Sequence, residues 1–214
     1  MSRLLTTIGA DIGQKKDPTA IAVAEIDMRP SPLAMQRKEA HFLIRHAERL
    51  PLGTSYPRVA ERIGEICHGV KSRGGGGSRP HLFVDATGVG QPIIDLLHDA
   101  ALEAAAIWST YFTHGDQRKE CSRELRISLG KAFLVSRLQM LLQCGRIHLP
   151  KDHPEADALV KELLDYEIRV GKDSNDQYGA FRVGTHDDLV TALGLAVQKE
   201  PSVSVFPGRV VYGM

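Results

Sequence analysis

An α/β layer fold with one mixed sheet is the expected architecture, and three observations point to it. Apolar, β-rich runs crowd the first fifty residues, and after them strand-like and helix-like segments alternate. Turn chemistry separates the early runs at intervals too short for a crossover helix, so they pair as an antiparallel meander. The later strands, each followed by a helical stretch, extend the sheet in parallel.

The elements follow in order. "LLTTIGADIG" and "TAIAVAEID" are two strands joined by "QKKDP", in which Lys15 to Pro18 form the turn. "EAHFLIRHAERL" is the third strand. "SYPRVAERIGEICHGVK" carries Val59, Ile63, Ile66 and Val70 at helical spacing, with Pro57 just inside the helix start. "SRGGGGSRP" is a loop, and no Lys-Ser/Thr pair follows its glycines, so it is no phosphate cradle. "HLFVDATG" is a buried strand ending in a turn, "QPIIDLLHDA" a short helix from near Pro92, and "AAAIWSTYF" another strand. "CSRELRISLGKAFLVSRLQMLLQCG" is expected as one long helix stopping at Gly145. "RIHLP" is a short edge strand, "HPEADALVKELLDY" a helix, "EIRVGKDSNDQYGAFRVG" a hairpin, and "HDDLVTALGLAV" the last helix. Residues 1–199 are expected to form one domain, with 200–214 a Pro/Gly-broken tail that is flexible or contacts a partner.

The composition narrows the function. With 214 residues, 43% of them hydrophobic, the chain can bury a substantial core. No run of about 18 apolar residues appears, so no membrane-spanning helix is expected. Cys67, Cys121 and Cys144 are odd in number and widely spaced, which suits neither zinc nor a disulfide framework. A net charge of +1 argues against a protein that coats nucleic acid indiscriminately. Locally, however, Arg118, Lys119, Arg123, Arg126, Lys131 and Arg137 face only Glu120 and Glu124. On a helix several of these cations would share one face, either as a solvated surface or as a set of phosphate contacts.

Aspartates stand where three sheet or helix boundaries fall. Asp11 closes the first strand, Asp85 closes "LFVD", and Asp187 and Asp188 open the last helix. Singly, each has an ordinary explanation as a turn residue beside glycine or as a first-turn acid favoured by the helix dipole. Together they place carboxylates at the carboxyl ends of strands, where open α/β sheets keep their sites. Crowded carboxylates repel unless cations neutralise them, and hard oxygen donors suit magnesium or manganese. Two such ions about 4 Å apart form a clamp for phosphodiester hydrolysis.

"GADIGQKKDPTAIAV", "FVDATGVG" and "GTHDDLVTALGLA", in this order, resemble the nuclease domain of bacteriophage large terminase subunits, which has the ribonuclease H-like fold. The resemblance spans about Thr6 to Lys199. It implies a metal-dependent endonuclease acting on double-stranded DNA with little sequence preference, with two Mg2+ or Mn2+ ions. It also implies Asp11, Asp85, Asp187 and Asp188 as metal ligands, the first three catalytic and Asp187 the closer of the adjacent pair. Asp17 and His186 would support them. Arg118, Lys119, Arg123, Arg126 and Lys131, with Lys172 and Arg182 of the hairpin, would touch the DNA backbone. A packaging ATPase, a small terminase subunit and a portal are the implied partners, and the cytoplasm of the bacterial host the implied location. The motor's phosphate loop is absent from these residues, so translocation lies outside the resemblance. An actin- or sugar-kinase-type nucleotide-binding domain and a catalytically silent docking module are the alternatives. The first would leave the acidic pair on the last helix without a role.

Overall fold

The computed structural model describes residues 5–13, 17–32, 34–73, 79–88, 90–170, 176–179 and 187–200. The expected meander is present: β1 (Leu5–Asp11), β2 (Ala20–Ser31) and β3 (Ala34–Arg49) pair antiparallel in sequence. Helix α1 (Tyr56–Arg73) then leads to β4 (His81–Asp85), α2 (Gly90–Ala101) and β5 (Ala106–Thr113). Strand β4 lies parallel to β1 on one side and to β5 on the other.

The long helix expected over 121–145 is corrected. Its first half is a hairpin of β6 (Arg118–Cys121) and β7 (Arg126–Gly130), and only its second half is helix, α3 (Lys131–Gln143). Leu125 makes the hairpin turn at φ 48°, in the left-handed region. Beyond it Ile127 and Leu129 alternate with Arg126 and Ser128, so β7 buries one face as it adds in parallel to β5. Gly130 is the N-cap of α3, a position only glycine fits, since a Cβ there would stand 2.2 Å from the Gly115 carbonyl oxygen. As expected, the helix ends before Gly145, which adopts φ 62°.

The remaining elements are β8 (Ile147–His148), α4 (Ala156–Asp165), the paired strands β9 (Glu167–Val170) and β10 (Asp176–Gly179), and α5 (Asp188–Ala196). The main sheet has the order β6-β7-β5-β4-β1-β2-β3-β8, with β8 on the edge as expected. The whole glycine run, 74–77, and residues 201–214 of the expected tail lie outside the described residues. Among the described residues, no helix is long and apolar enough to cross a membrane.

Strand alternation divides the core into two. Ile8, Ala10, Leu82, Val84 and Ile107 pack with Ile63, Ile93 and Leu97 of α1 and α2 on one face. Ala20, Ala22, Ala24, Phe42, Phe83 and Trp108 pack on the other with Leu134 of α3 and with α5. Helix α5 is buried on every side, a central helix rather than an amphipathic surface one. Cys67 sits in the first core, and burial pushes its thiol up to about 12, whereas Cys121 and Cys144 are exposed. A thiol reagent at pH 8 is therefore expected to label two cysteines of the native protein and the third only after denaturation. Prompt labelling of all three would contradict this packing.

Candidate active site

Strands β1 and β4 run side by side in parallel, with Ala10 opposite Val84. Asp11 and Asp85 come one residue later, so both carboxylates leave the sheet at the same end. They also leave from the same face. Asp11 follows the parity of Gly9, and Asp85 that of Phe83, and both of those residues meet α5 or its core.

Gly9 brings the last helix to this point. A Cβ on it would stand 2.0 Å from the Ala192 carbonyl oxygen and 2.5 Å from the Ala196 nitrogen, so α5 lies directly on the β1 backbone. The N-terminal end of α5 then delivers Asp187 and Asp188 beside Asp11. Asp11, Asp17, Asp85, Asp187 and Asp188 line one pocket of about 220 Å³, completed by Ile12, Gly13, Pro18 and Gly88.

The turns on either side are tied down. Thr87 donates its backbone N–H to Asp85 Oδ1 at 2.8 Å, while its own hydroxyl oxygen accepts from the Phe112 N–H at 2.8 Å. The turn after β4 is thereby pinned to β5. After β1, Gly13 donates to Thr19 Oγ1 at 3.0 Å, and a Cβ on Gly13 would meet the Asp17 carbonyl oxygen at 2.0 Å. This close return of the chain sets Asp17 in the pocket wall.

Electrostatically the pocket is an anion trap turned inside out. Burial, followed by the charges of Asp85, Asp188 and Asp187, raises the Asp11 carboxyl well above the usual carboxylate range, with Lys131 pulling the other way. Lys131 is the first residue of α3, and its Nζ lies 5.6 Å from the Phe112 ring centroid.

The adjacent aspartates are held differently. Asp187 is the N-cap residue of α5, yet its side chain makes no capping hydrogen bond. Glu162 of α4 does that work instead: its Oε2 accepts from the backbone N–H groups of Leu189 and Val190 at 3.0 and 3.2 Å. Asp188 is buried, and its Oδ2 accepts from Arg49 Nε at 3.1 Å. Arg49 also pairs with Glu162 through Nη2. Sequence patterning passed over Arg49 and Glu162. The signal for Glu162 was a carboxylate on the inward stripe of α4, in step with Ala156 and Leu159.

The expected basic face is divided among three elements. Lys119 lies on β6, Arg123 in the turn, Arg126 on β7 and Lys131 on α3, all exposed. Arg118 is ion-paired with Glu120 at 2.7 Å, and Arg126 lies over the Tyr111 ring at 4.5 Å. Arg137 is structural, donating to the Val197 carbonyl oxygen and pairing with Glu200. Lys172, Arg182 and His186 lie outside the described residues.

Among the described residues, no group of three or more Asp, Glu, His or Cys side chains is arranged closely enough to hold a metal ion. The donor set nevertheless suits a hard divalent cation, since the pocket gathers carboxylate oxygens whose repulsion a cation would relieve.

No protein-family model matches the sequence, and no curated protein matches it. Solved structures do. The large terminase nuclease from thermophilic phage G20c aligns with a TM-score of 0.63 at 20% identity, over 94% of this chain and 85% of that one. Its magnesium-bound form aligns at 0.59 and 21%, over 92% and 82%. The manganese-soaked human cytomegalovirus terminase nuclease domain aligns at 0.54 and 16%, over 91% and 82%. Strand order, helix placement and these alignments agree: the chain has the ribonuclease H-like fold of the viral large-terminase nuclease domains.

Proposed function

We propose that the protein is a magnesium- or manganese-dependent endonuclease that cleaves double-stranded DNA. The observation that carries this reading is the convergence of Asp11, Asp85, Asp187 and Asp188 from three distant segments into one pocket where burial and then mutual crowding raise the Asp11 pKa. A protein does not maintain such repulsion for stability alone, because it costs the folded state free energy that a bound cation returns. The magnesium and manganese forms of the two aligned terminase nucleases support the choice of ion.

Asp11, Asp85, Asp187 and Asp188 would hold the metal, with Asp188 fixed by Arg49. Such an ion supplies Lewis acidity and a water of lowered pKa at neutral pH. The Thr87 N–H keeps Asp85 aimed, and the buried base of α5 keeps the adjacent pair from swinging away. Asp17, on the pocket wall, would orient solvent or a ligand carboxylate. The exposed Lys119, Arg123, Arg126 and Lys131 would meet phosphates and position the duplex without reading its bases. With a net charge of only +1, binding is expected to be weak and to fall steeply with salt. A packaging motor, a small terminase subunit and a portal would be the partners that keep DNA engaged.

The test is supercoiled plasmid incubated with EDTA, magnesium or manganese, for the wild-type protein and Asp85→Ala. Nicking and linearisation are expected only with a divalent ion, and loss of roughly a hundred- to a thousandfold of the rate in the variant. Equal cleavage by Asp85→Ala would remove the pocket from the chemistry. No cleavage with either ion, alongside intact binding of a partner, would favour a docking role for the same fold.

A further inference from the structure

Glu162 is a carboxylate buried on the inward face of α4, only 6% exposed, among apolar neighbours. A buried charge persists where its partners offset the loss of water, and this one has three. Two are the Leu189 and Val190 N–H groups at the positive end of α5, and the third is Arg49. Arg49 in turn reaches Asp188 through a different nitrogen, Nε. One guanidinium therefore spans a carboxylate inside the acidic pocket and a carboxylate outside it, a geometry that its planar fork permits and a lysine ammonium does not.

The position of that positive charge matters to any cation entering the pocket. An arginine bound to Asp188 alone would act as a full internal counter-ion, neutralising a carboxylate that the pocket presents. In a low-dielectric setting it would repel a divalent ion strongly. Glu162 draws the guanidinium toward α4 and balances it there, while its other oxygen locks the helix turn that carries Asp188.

We propose that Glu162 is a positioning residue that, through Arg49 and the first turn of α5, holds the Asp188 carboxylate oriented for a divalent cation in the pocket. The proposal rests on the reading of the pocket as a metal site. It adds a division of labour: Arg49 is a tuned competitor of the metal, and Glu162 sets how strongly it competes.

Substitution of Glu162 is expected to weaken metal affinity, and substitution of Arg49 is not. Glu162→Gln keeps an oxygen for the α5 N–H groups but cannot balance Arg49. Manganese binding, measured by calorimetry without DNA, is expected to weaken about tenfold, equivalent to about 1.4 kcal/mol. Arg49→Met removes the competing charge, and manganese is expected to bind as tightly as to the wild type or more tightly, with a larger metal-induced rise in melting temperature. A merely structural network would weaken binding in both variants, so weaker binding by Arg49→Met would overturn the proposal. Unchanged affinity in Glu162→Gln would overturn it as well. Wild-type protein that takes up no manganese would instead remove the metal reading of the pocket, and this inference with it.

Discussion

Asp11→Asn is expected to melt at a higher temperature than the wild-type protein in EDTA at pH 8, while losing roughly a hundred- to a thousandfold of its metal-dependent cleavage. The stability gain follows from the sign of the Asp11 shift. Its folded pKa lies well above the ordinary 3.8, because burial and the charges of Asp85, Asp188 and Asp187 disfavour the carboxylate. The folded state therefore binds this proton more tightly than the unfolded chain does. Stability from this group is present at low pH and is lost as pH rises from 3.8 through the raised value. At pH 8, far above 3.8, the wild type carries this penalty, and a neutral amide does not. For a chain of this length each kcal/mol relieved raises the melting temperature by about 2–4 °C.

The difference between variant and wild type should shrink as the pH falls toward the Asp11 range, and should reverse when saturating manganese stabilises the wild type alone. Glu48 titrates in the opposite sense and is common to both proteins. The His46 imidazole 3.4 Å away, with help from Arg62, lowers it from 4.5 to about 2, so its contribution is lost as pH falls through that interval. Comparing the two proteins at each pH cancels this background. A variant that melts below the wild type in EDTA at pH 8 would show that the carboxylates are not in mutual repulsion.

Gly9→Ala is expected to destabilise the protein by about 3 kcal/mol, near the upper end of overpacking costs, and to lower its melting temperature by about 6–12 °C. The added Cβ meets backbone atoms of Ala192 and Ala196 at 2.0 and 2.5 Å, and backbone inside a buried helix cannot step aside as a flexible side chain can. To make room, α5 must lift from β1, taking Asp187 and Asp188 away from Asp11. Metal-induced stabilisation should therefore fall together with the melting temperature. Gly69→Ala is the matched control. Gly69 lies within α1 with nothing within 4 Å of its would-be Cβ, so alanine there should stabilise by about 0.5–1 kcal/mol through helix propensity. Equal and small effects at both positions would show that α5 does not rest on the β1 backbone.

Much of this molecule can be read from local pattern. The β1–β2–β3 meander, α1, the β4 strand closing on Asp85, and α5 opening on an acidic pair are set by alternation, helical spacing and turn residues within a few positions of each other. The four aspartates are visible for the same reason: each stands at a local boundary of an element. Where local pattern was ambiguous, neighbours in space decided. Residues 118–130 have the charge and leucine content of a helix, yet become β6 and β7 because β5 offered an unpaired edge on which Ile127 and Leu129 could be buried. That pairing scattered the basic residues over a hairpin and a helix start. Arg49, a partner of Asp188, and Glu162, which holds Arg49 and the turn after Asp188, were also invisible in the chain, since Arg49 lies 139 residues before Asp188 and Glu162 belongs to another helix. Sequence alone singled out the aspartates that we propose carry the chemistry. The closeness of α5 to β1 at Gly9, and the counter-charge held behind Asp188, were decided by packing, because both depend on distances between segments that no local rule connects.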